Sequence, residues 1–302
     1  MAVRFGVTLV QVVEYAALRD DLLFAESLGL DNAWVIDQFG IDEAPEIPLL
    51  EAWTLLAALA TGSSSIRLGT LVTNVAMRNP GVLAQSILTV DQISNGRIEA
   101  AVGGGFYPTE HTALGIDFPA PGDRTTRLRE AVAILDRALR GETVSHDGEH
   151  FRMRDATFRP VPTQQPRPPL WVAAQASNSL RIAVDHAEGL VTLGAQDRPM
   201  DESLPAFRAR MRRVDELCEE AGRDPNTLRR CYFSGWADEP IFASIEATTD
   251  LIGGYVEAGA TDFTFYLHSP GDPVMESFVS AHRAATRDQL ERSVAEVFPR
   301  FR

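Results

Sequence analysis

Short apolar runs alternate with longer amphipathic segments along nearly the whole chain of 302 residues. Eight runs have the length and composition of strands, and each precedes a segment whose apolar residues recur at helical spacing. Such alternation predicts a parallel sheet joined by right-handed crossovers. The predicted strands are 3–10, 32–36, 66–73, 97–102, 170–174, 190–193, 228–234 and 261–267. The predicted helices are 14–28, 49–60, 80–93, 124–140, 177–186, 204–221, 241–258 and 274–285.

Eight strand–helix pairs in this length favour a closed (β/α)8 TIM barrel, a fold that typically takes about 250 residues. A doubly wound open sheet is the alternative. Two segments interrupt the alternation, at about 106–122 and 142–169. The second contains Asp147-Gly148, a signal for a two-residue hairpin turn, followed by a proline-rich stretch. We predict one α/β domain over residues 1–302, a TIM barrel with insertions in the upper loops.

The charge of the chain excludes some classes of partner. A net charge of −14, from 42 acidic and 28 basic residues, argues against nucleic acid and anionic membranes. Two cysteines, Cys218 and Cys231, are too few for a disulfide framework and suit a reducing compartment. The N-terminal run lacks the features of a signal peptide, and no apolar stretch is long enough to span a bilayer. We therefore expect a cytoplasmic protein.

Ligands of both candidate folds bind at the carboxyl ends of the strands. Asp37 ends the second strand in "NAWVIDQFG" and offers an acceptor for a ring N–H or a hydroxyl. A local cap is the alternative role for this carboxylate. Gly103, Gly104 and Gly105 end the fourth strand, where a flat ring or a phosphate can approach bare backbone. A tight turn at the rim explains them equally well.

Polar residues elsewhere give weaker signals. In "VAAQASNSLRIA", Ser177 begins a helix whose free N–H groups suit a phosphate, although Ser177 can also be a simple cap. Glu110 and His111 form either an acid–base pair over the pocket or a surface turn. His146 and His150 flank the hairpin turn, and a two-residue turn would place them opposite each other; they lack the further ligands of a metal site, so we expect no metal.

Several blocks resemble the bacterial-luciferase-like flavin and deazaflavin oxidoreductases. They are "RNPGVLAQSILTVDQISNGRIEAAVGGG", "TEHTALGIDFP" with "RTTRLREAVAIL", and "PVPTQQPRPPLWVAAQ" with "SLRIAVDHAEG". Together they cover roughly residues 66–194 in the order of the family. The resemblance implies a TIM barrel and a tricyclic coenzyme at its mouth.

The turn "WVAAQASNSLRIA" is similar to the phosphate-binding turn of members that use coenzyme F420, a deazaflavin. The resemblance implies that Asp37 bonds the ring system and that Thr70-Leu71 forms a non-prolyl cis peptide against the ring. It implies further contacts along the tail of the coenzyme. These are Gly103, Gly104 and Gly105, the phosphate-holding Gln175, Ala176 and Ser177, and the adjacent Leu193 and Gly194.

The chain departs from the sugar-phosphate dehydrogenase branch of that family at three positions. Gln38 replaces the histidine after the strand-two aspartate, and a glutamine side chain cannot accept a proton. Phe106 replaces a glutamate after the glycines, and Gln196 replaces a cation near the phosphate. Gln38 remains a candidate because of its position in the site. An apolar roof of Phe106 and Tyr107 predicts a less polar substrate.

We therefore expect an F420-dependent oxidoreductase that transfers a hydride between C5 of the deazaflavin and a small organic substrate. His111, Glu110 or water are the candidate proton donors. An FMN-dependent monooxygenase that uses O2 and a separate reductase is the first alternative, and a non-catalytic flavin-binding protein is the second. Helices 49–60 and 80–93 are apolar over more than one face, which predicts a homodimer.

Overall fold

The eight predicted strands close into a barrel. The structure is a computed structural model that describes residues 2–40, 46–268 and 283–302. The barrel closes where β11 (Asp262–Leu267) pairs in parallel with β1 (Arg4–Leu9). This closure confirms the barrel and excludes the open sheet. Between them stand β2 (Asn32–Val35), β3 (Arg67–Thr70), β5 (Ile98–Gly103), β8 (Leu170–Ala173), β9 (Gly189–Thr192) and β10 (Arg229–Phe233), each paired in parallel with its neighbours.

Helices surround the barrel in the predicted order. Side chains cap several of them, as when Asn79 accepts from the N–H groups of Gly81 and Val82. Within the described ranges, no helix combines the length and the apolar character needed to cross a membrane. The helices are α1 (Tyr15–Ser27), α2 (Ala52–Gly62), α3 (Pro80–Ile93), α4 (Pro108–Ala113), α5 (Pro121–Leu139), α6 (Ser177–His186), α7 (Met200–Ala221), α8 (Ile245–Glu257) and α9 (Arg287–Glu296).

Apolar side chains fill two separate cores. The larger core lies between the strands and the helices, and in it Phe5 stacks on Phe298 with the ring centroids 3.9 Å apart. The second core fills the barrel interior around Trp34 and Trp171, which meet edge to face at 6.1 Å. A Cβ on Gly189 would lie 2.2 Å from the Trp171 ring, so this strand needs a glycine to admit the indole.

The two insertions occupy different places. The first contains α4 and lies at the carboxyl end of the strands. The second follows α5 and therefore leaves from the amino end of the strands, which we call the base. Its hairpin, β6 (Val144–Asp147) and β7 (Arg152–Ala156), lies against α5, where Glu130 accepts from the N–H of Phe151 at 3.0 Å. Its proline-rich part ends at the base, where Gln164 accepts from Arg67 Nη2 at 2.6 Å. Only the first insertion is thus in an upper loop.

Local geometry differs from the prediction at three points. The predicted strand 66–73 is split into β3 and the two-residue β4 (Thr73–Asn74). The cis peptide between them is Leu71–Val72, so the predicted Thr70–Leu71 bond was wrong by one position. The hairpin loop spans four residues, 148–151, because Asp147 pairs with Arg152. For the same reason His146 lies opposite Met153 and not His150.

The end of the chain also differs. Residues 274–282 of the predicted closing helix lie outside the described residues. The last two predicted positions form a short strand, β12 (Ala284–Ala285), which pairs with β11. The sequence analysis missed α9, although its capping box was legible: Thr286 and Gln289 bond each other's main-chain N–H groups.

Candidate active site at the barrel mouth

A cavity of about 800 Å³ opens at the carboxyl ends of the strands. This volume is within the range of small-molecule and cofactor sites. Most of the predicted site residues line it, from six different strand ends or loops. They are Asp37, Gln38, Leu71, Gly103, Gly104, Gly105, Glu110, Gln175, Ala176 and Leu193.

Four predicted site residues do not line the cavity: Thr70, His111, Ser177 and Gly194. Thr70 is fully buried, and its hydroxyl bonds Thr73 Oγ1 at 2.7 Å and the Ala101 carbonyl at 3.0 Å. Gly194 lies against α7, where an added Cβ would be 1.7 Å from Ser203 Oγ. Thr70 and Gly194 therefore contribute to the packing of the barrel around the cavity.

An unpredicted arginine holds Asp37. Arg78 donates to both carboxylate oxygens, from Nε at 2.8 Å and from Nη2 at 2.6 Å, and also to Glu51 at 2.7 Å. Burial raises the pKa of Asp37, and the bonds from Arg78 oppose that shift. Because Arg78 engages both oxygens, Asp37 is a fixed acceptor, and any further donor must share an oxygen with Arg78. Arg78 opens the "RNPGVLAQ" block, which was the available signal.

His111 is structural in this arrangement. The ring is fully buried, its Nδ1 lies 3.0 Å from the Asp117 carbonyl and its Nε2 lies 3.0 Å from Asn74 Nδ2. A carbonyl only accepts, so the ring hydrogen is on Nδ1 and Nε2 accepts from Asn74. Asn74 Oδ1 in turn accepts from the N–H of Ala76. The His111 side chain therefore has no access to the cavity, which the predicted acid–base role would require.

Glu110, next to it on α4, does reach the cavity. One of its oxygens accepts from the main-chain N–H of Phe39, which ties the first insertion to the end of β2. The two halves of the predicted Glu–His pair therefore have different surroundings. Glu110 is 8% exposed and faces the ligand space, whereas His111 is sealed from it.

The three glycines at the end of β5 are needed for different reasons. A Cβ on Gly103 would lie 2.7 Å from Val72 Cγ2, and one on Gly105 would lie 2.7 Å from Asn74 Oδ1. Gly105 also has φ +89, a conformation that other residues rarely adopt. Gly104 meets nothing closer than 3.5 Å. Packing within the protein therefore explains two of the glycines, and the third leaves bare backbone toward the cavity.

The turn after β8 lines the same space, and its two main-chain amides are already bonded within the protein. Ala176 precedes α6, and the cap hydroxyl belongs to Ser179, which accepts from the N–H groups of Gln175 and Ala176 at 3.2 and 3.3 Å. Ser179 lines the cavity, and Ser177 is exposed outside it. The helix begins at Ser177 as predicted, but the hydroxyl that bonds the preceding amides belongs to Ser179, two residues further along the chain.

Two further arginines stand close to these segments, Arg124 beside Gly104 and Arg210 beside the turn after β8. Arg124, in the first turn of α5, lines the cavity and lies 4.4 Å from the centroid of the Phe118 ring. Arg210 of α7 donates to the carbonyls of Leu193, at 2.5 Å, and Gln175, at 3.2 Å. Burial lowers the pKa of Arg210. In the part of the chain that the structure describes, neither guanidinium pairs with a carboxylate.

One further group of titratable side chains lies away from the cavity. Asp123, Glu149 and His150 bring possible metal-ligating atoms within 4.8 Å of one another, and both carboxylates are exposed. Exposed acidic groups of this kind are common in a chain with 42 acidic residues.

Comparisons with known proteins agree with this architecture. Residues 3–236 match the sequence profile of the luciferase-like monooxygenases. The chain is 25% identical over 260 residues to the 5,10-methylenetetrahydromethanopterin reductase of Methanolobus tindarius, covering 86% of this chain and 71% of the relative. It is 31% identical over 219 residues to the F420-dependent glucose-6-phosphate dehydrogenase of Microbacterium testaceum, covering 70% of this chain and 62% of the relative. This chain thus spans less than two thirds of that dehydrogenase.

Solved structures share the fold over nearly the whole chain. The coenzyme F420 dependent tetrahydromethanopterin reductase of Methanopyrus kandleri superposes with a TM-score of 0.79 at 18% identity, covering 100% of both chains. A monooxygenase from Streptomyces bottropensis superposes with a TM-score of 0.76 at 19% identity, covering 99% of this chain and 100% of that one. The barrel and the matched profile together place this chain in the luciferase-like monooxygenase family of oxidoreductases.

Proposed function

We propose that this chain is a coenzyme F420-dependent oxidoreductase that transfers a hydride between C5 of the deazaflavin and a small organic substrate. The observation that carries the proposal is the wall formed by Gly104 and the turn at Gln175 and Ala176. It combines bare backbone with the approach to the amino-terminal end of α6, and Arg124 lines the same cavity without a carboxylate partner among the described residues.

The residues of this wall fit such a coenzyme. A flat ring system can lie against Gly103–Gly105 because no Cβ projects from Gly104 into the cavity. The amino-terminal end of α6, with its positive dipole end, suits an anionic tail. Arg124 and Arg210 supply positive charge that no carboxylate cancels within the described residues, in a protein whose net charge is −14.

The other residues of the mouth position and shield the reacting groups. The ion pair with Arg78 fixes Asp37 as an acceptor at the end of β2. Glu110 reaches the cavity and, together with solvent water, is the candidate for proton transfer in our proposal. Bound F420 supplies the hydride chemistry, and the protein supplies orientation and exclusion of water.

The relatives support this choice of coenzyme. The dehydrogenase of Microbacterium testaceum and the reductase fold of Methanopyrus kandleri are both F420-dependent by name. The substrates of those proteins are not carried over. The absence of the histidine at Gln38 and the apolar Phe106 argue against a sugar phosphate as substrate.

The second candidate is an FMN-dependent monooxygenase that receives reduced flavin from a separate reductase. The family profile carries the description of a monooxygenase, and a monooxygenase from Streptomyces bottropensis shares the fold. Both coenzymes present a tricyclic ring and an anionic tail, so the same wall would hold either.

Parallel titrations of the purified protein with F420 and with FMN test the proposal. We expect F420 to bind with micromolar or tighter affinity and FMN to bind at least about tenfold more weakly, a difference of about 1.4 kcal/mol. Micromolar FMN binding without F420 binding would establish the second candidate. The variant Arg124→Gln should weaken the binding of the preferred coenzyme. Arg152→Gln is the matched control, because Arg152 pairs with Asp147 at an exposed site.

We also propose a homodimer formed through α2 and α3. Val82 on α3 is 68% exposed and Ile93 is 42% exposed, so apolar surface remains on this side of the barrel. Light scattering of the purified chain should give twice the monomer mass of 33.1 kDa. A monomeric mass at working concentrations contradicts this proposal without affecting the coenzyme proposal.

A further inference from the structure

The cavity has two chemically different walls. The first, described above, consists of glycines and main-chain amides from the ends of β5 and β8. The second consists of five aromatic side chains from the first insertion and from the ends of β10 and β11, and we call it the aromatic wall. Its members are Phe106, Tyr107, Phe233, Trp236 and Tyr266.

The aromatic wall is continuous. Phe106 contacts Tyr107 with the ring centroids 4.9 Å apart, and it approaches Trp236 at 6.2 Å. Trp236 in turn lies 6.2 Å from Phe233, which lies 5.1 Å from Tyr266. These are the separations at which aromatic rings attract one another edge to face. The five rings therefore form one surface along the cavity.

Backbone geometry favours this arrangement of rings. Gly235 has φ +105, and a Cβ there would lie 2.5 Å from the Tyr266 ring. The main chain after β10 can therefore pass directly over Tyr266 and bring Trp236 to the cavity.

One end of the wall lacks a protein partner over much of its area. The Phe106 side chain is 62% exposed. It is unfavourable to leave so much of a large aromatic ring in water at the rim of a pocket. A ligand that covered it would gain the hydrophobic free energy that the folded chain leaves unused. The exposed ring is therefore the observation that points to a bound molecule.

The wall also carries little net charge. Arg283 is the cation on this side of the cavity, and it pairs with Asp197 at 3.1 Å and with Asp238 at 3.6 Å. Arg124 and Arg210, which no carboxylate offsets in the described ranges, stand by the other wall. Anionic groups are therefore attracted to the glycine and amide wall, and the aromatic wall suits an uncharged molecule. Tyr266 lines the cavity, and its phenolic hydroxyl adds a hydrogen-bond donor to this wall.

We propose that the aromatic wall binds the substrate, and that the substrate is an uncharged, flat, conjugated compound with an aryl ring and an oxygen acceptor. This inference rests on the proposed function, because that function assigns the opposite wall to the coenzyme. It narrows the small organic substrate of the proposed reaction to a chemical class.

Two probes that differ only in the ring test the proposal. Benzylideneacetone and ethylideneacetone are the same enone bearing phenyl or methyl, and calorimetric titration measures the binding of each to the protein with and without F420. We expect the phenyl compound to bind at least roughly tenfold more tightly. Trp236→Ala and Phe106→Ala should each reduce this preference by roughly three- to tenfold and leave F420 affinity unchanged. Phe106 is exposed, so its variant tests the wall even where Trp236→Ala disturbs folding.

Phe39→Ala is the matched control. Phe39 is another exposed ring at the mouth, 42% exposed, and it does not line the cavity, so its removal should leave the preference intact. Equal affinity for the two enones, an equal loss in Phe39→Ala, or weaker F420 binding in Phe106→Ala would each overturn the assignment of this wall to the substrate. Failure of F420 to bind the unaltered protein contradicts the proposed function instead, and the titrations without F420 then still decide whether the wall prefers an aryl ring.

Discussion

The two ends of the barrel contain very different side chains. At the base, Glu99 accepts from Arg4 at 2.8 Å and from Arg67 at 2.6 Å, and Asp262 accepts from Arg4 and Arg229. These ion pairs close the interior. At the mouth, glycines, amides and aromatic rings surround about 800 Å³ of open space.

The difference indicates a division of roles within one barrel. At the base, nearly every charge has a partner, so the interactions there stabilise the folded chain. At the mouth, Arg124 has no partner carboxylate among the described residues, and Phe106 is largely bare. Groups left unsatisfied in this way are available to ligands. Changes at the base should therefore alter stability, and changes at the mouth should alter binding.

The largest expected effect is at the base, for Glu99→Gln. Burial by itself would raise the pKa of Glu99, but Arg4 and Arg67 keep it below its usual value, so the side chain is charged. Removing one member of a buried ion network leaves the others unpaired and typically costs about 3–5 kcal/mol. Thermal unfolding should show a clear fall in the midpoint, while F420 affinity of the folded variant stays unchanged. A loss of affinity without a loss of stability would refute the division of roles.

The converse effect is expected for Gly104→Val at the mouth. A Cβ here would be in ordinary contact with Arg124, so the unfolding midpoint should change little, but in our proposal the coenzyme lies against this backbone and the valine methyl groups should displace it. We expect roughly a hundredfold weaker F420 binding, or about 2.7 kcal/mol, measured by equilibrium titration. Gly122→Val is the control, since Gly122 has nothing within 4 Å and lies outside the cavity. Similar losses of F420 affinity in both variants would mean that Gly104 does not contact the coenzyme.

A double-mutant cycle on Arg78 and Asp37 tests an exception to the rule that the base stabilises and the mouth binds. This ion pair lies at the mouth but is mostly buried, so we expect it to contribute to stability. Arg78→Met leaves the Asp37 carboxylate unpaired, whereas Arg78→Met with Asp37→Asn removes both charges. Contacting charges commonly couple by about 1–3 kcal/mol, so the double variant should unfold less easily than the sum of the single variants predicts. Additive losses of stability would contradict this expectation, because they would mean that the two charges do not stabilise each other.

The smallest expected effect is a pH dependence at the base. Glu26 accepts from the N–H groups of Ser64, Ser65 and Ile66, and although burial acts in the opposite direction, these bonds lower its pKa to about 2. A lowered folded pKa stabilises the protein above the unfolded value of about 4.3, and this contribution is lost as pH falls toward 2.

Glu26→Gln should therefore reduce stability at pH 7 by about 1 kcal/mol or less, since solvent screens this partly exposed group. The difference from the unaltered chain should shrink as pH falls below about 4.3, the unfolded value. Thermal unfolding midpoints of the variant and the unaltered chain at a series of pH values measure this difference in stability. A difference that stays constant from pH 7 down to pH 3 would contradict the role of the charge, and F420 affinity should be unaffected throughout.

Much of the fold could be predicted because its signals are local. Strand and helix periodicity, the glycines that end helices and the inserts all occur within a few adjacent residues. Prediction failed where geometry depends on a neighbour in space. The cis peptide lies at Leu71–Val72, and the hairpin register places His146 opposite Met153. Moving the cis peptide by one bond or changing the hairpin register leaves the composition of the segment unchanged. Hydrophobic periodicity therefore cannot detect either change.

For the site, most of the residues predicted from strand ends and from the family resemblance do line the cavity, including Asp37, Gly104 and Gln175. It could not show that Arg78 binds Asp37 from 41 residues away, or that Asn74 and the Asp117 carbonyl engage His111. Arg124 and Arg210 lie on helices where a surface role is the ordinary expectation. Their places beside Gly104 and beside the turn after β8 follow only from how α5 and α7 pack.

The amino-acid sequence by itself determined the eightfold alternation, and with it a barrel whose ligands gather at one end, because hydrophobic period and turn chemistry act over short distances. Only the tertiary structure decided which charges are satisfied and which remain open, since that depends on partners brought together from strands and helices far apart in the chain. The aromatic wall illustrates this most clearly, because its rings span residues 106 to 266 and become one surface only when the barrel closes.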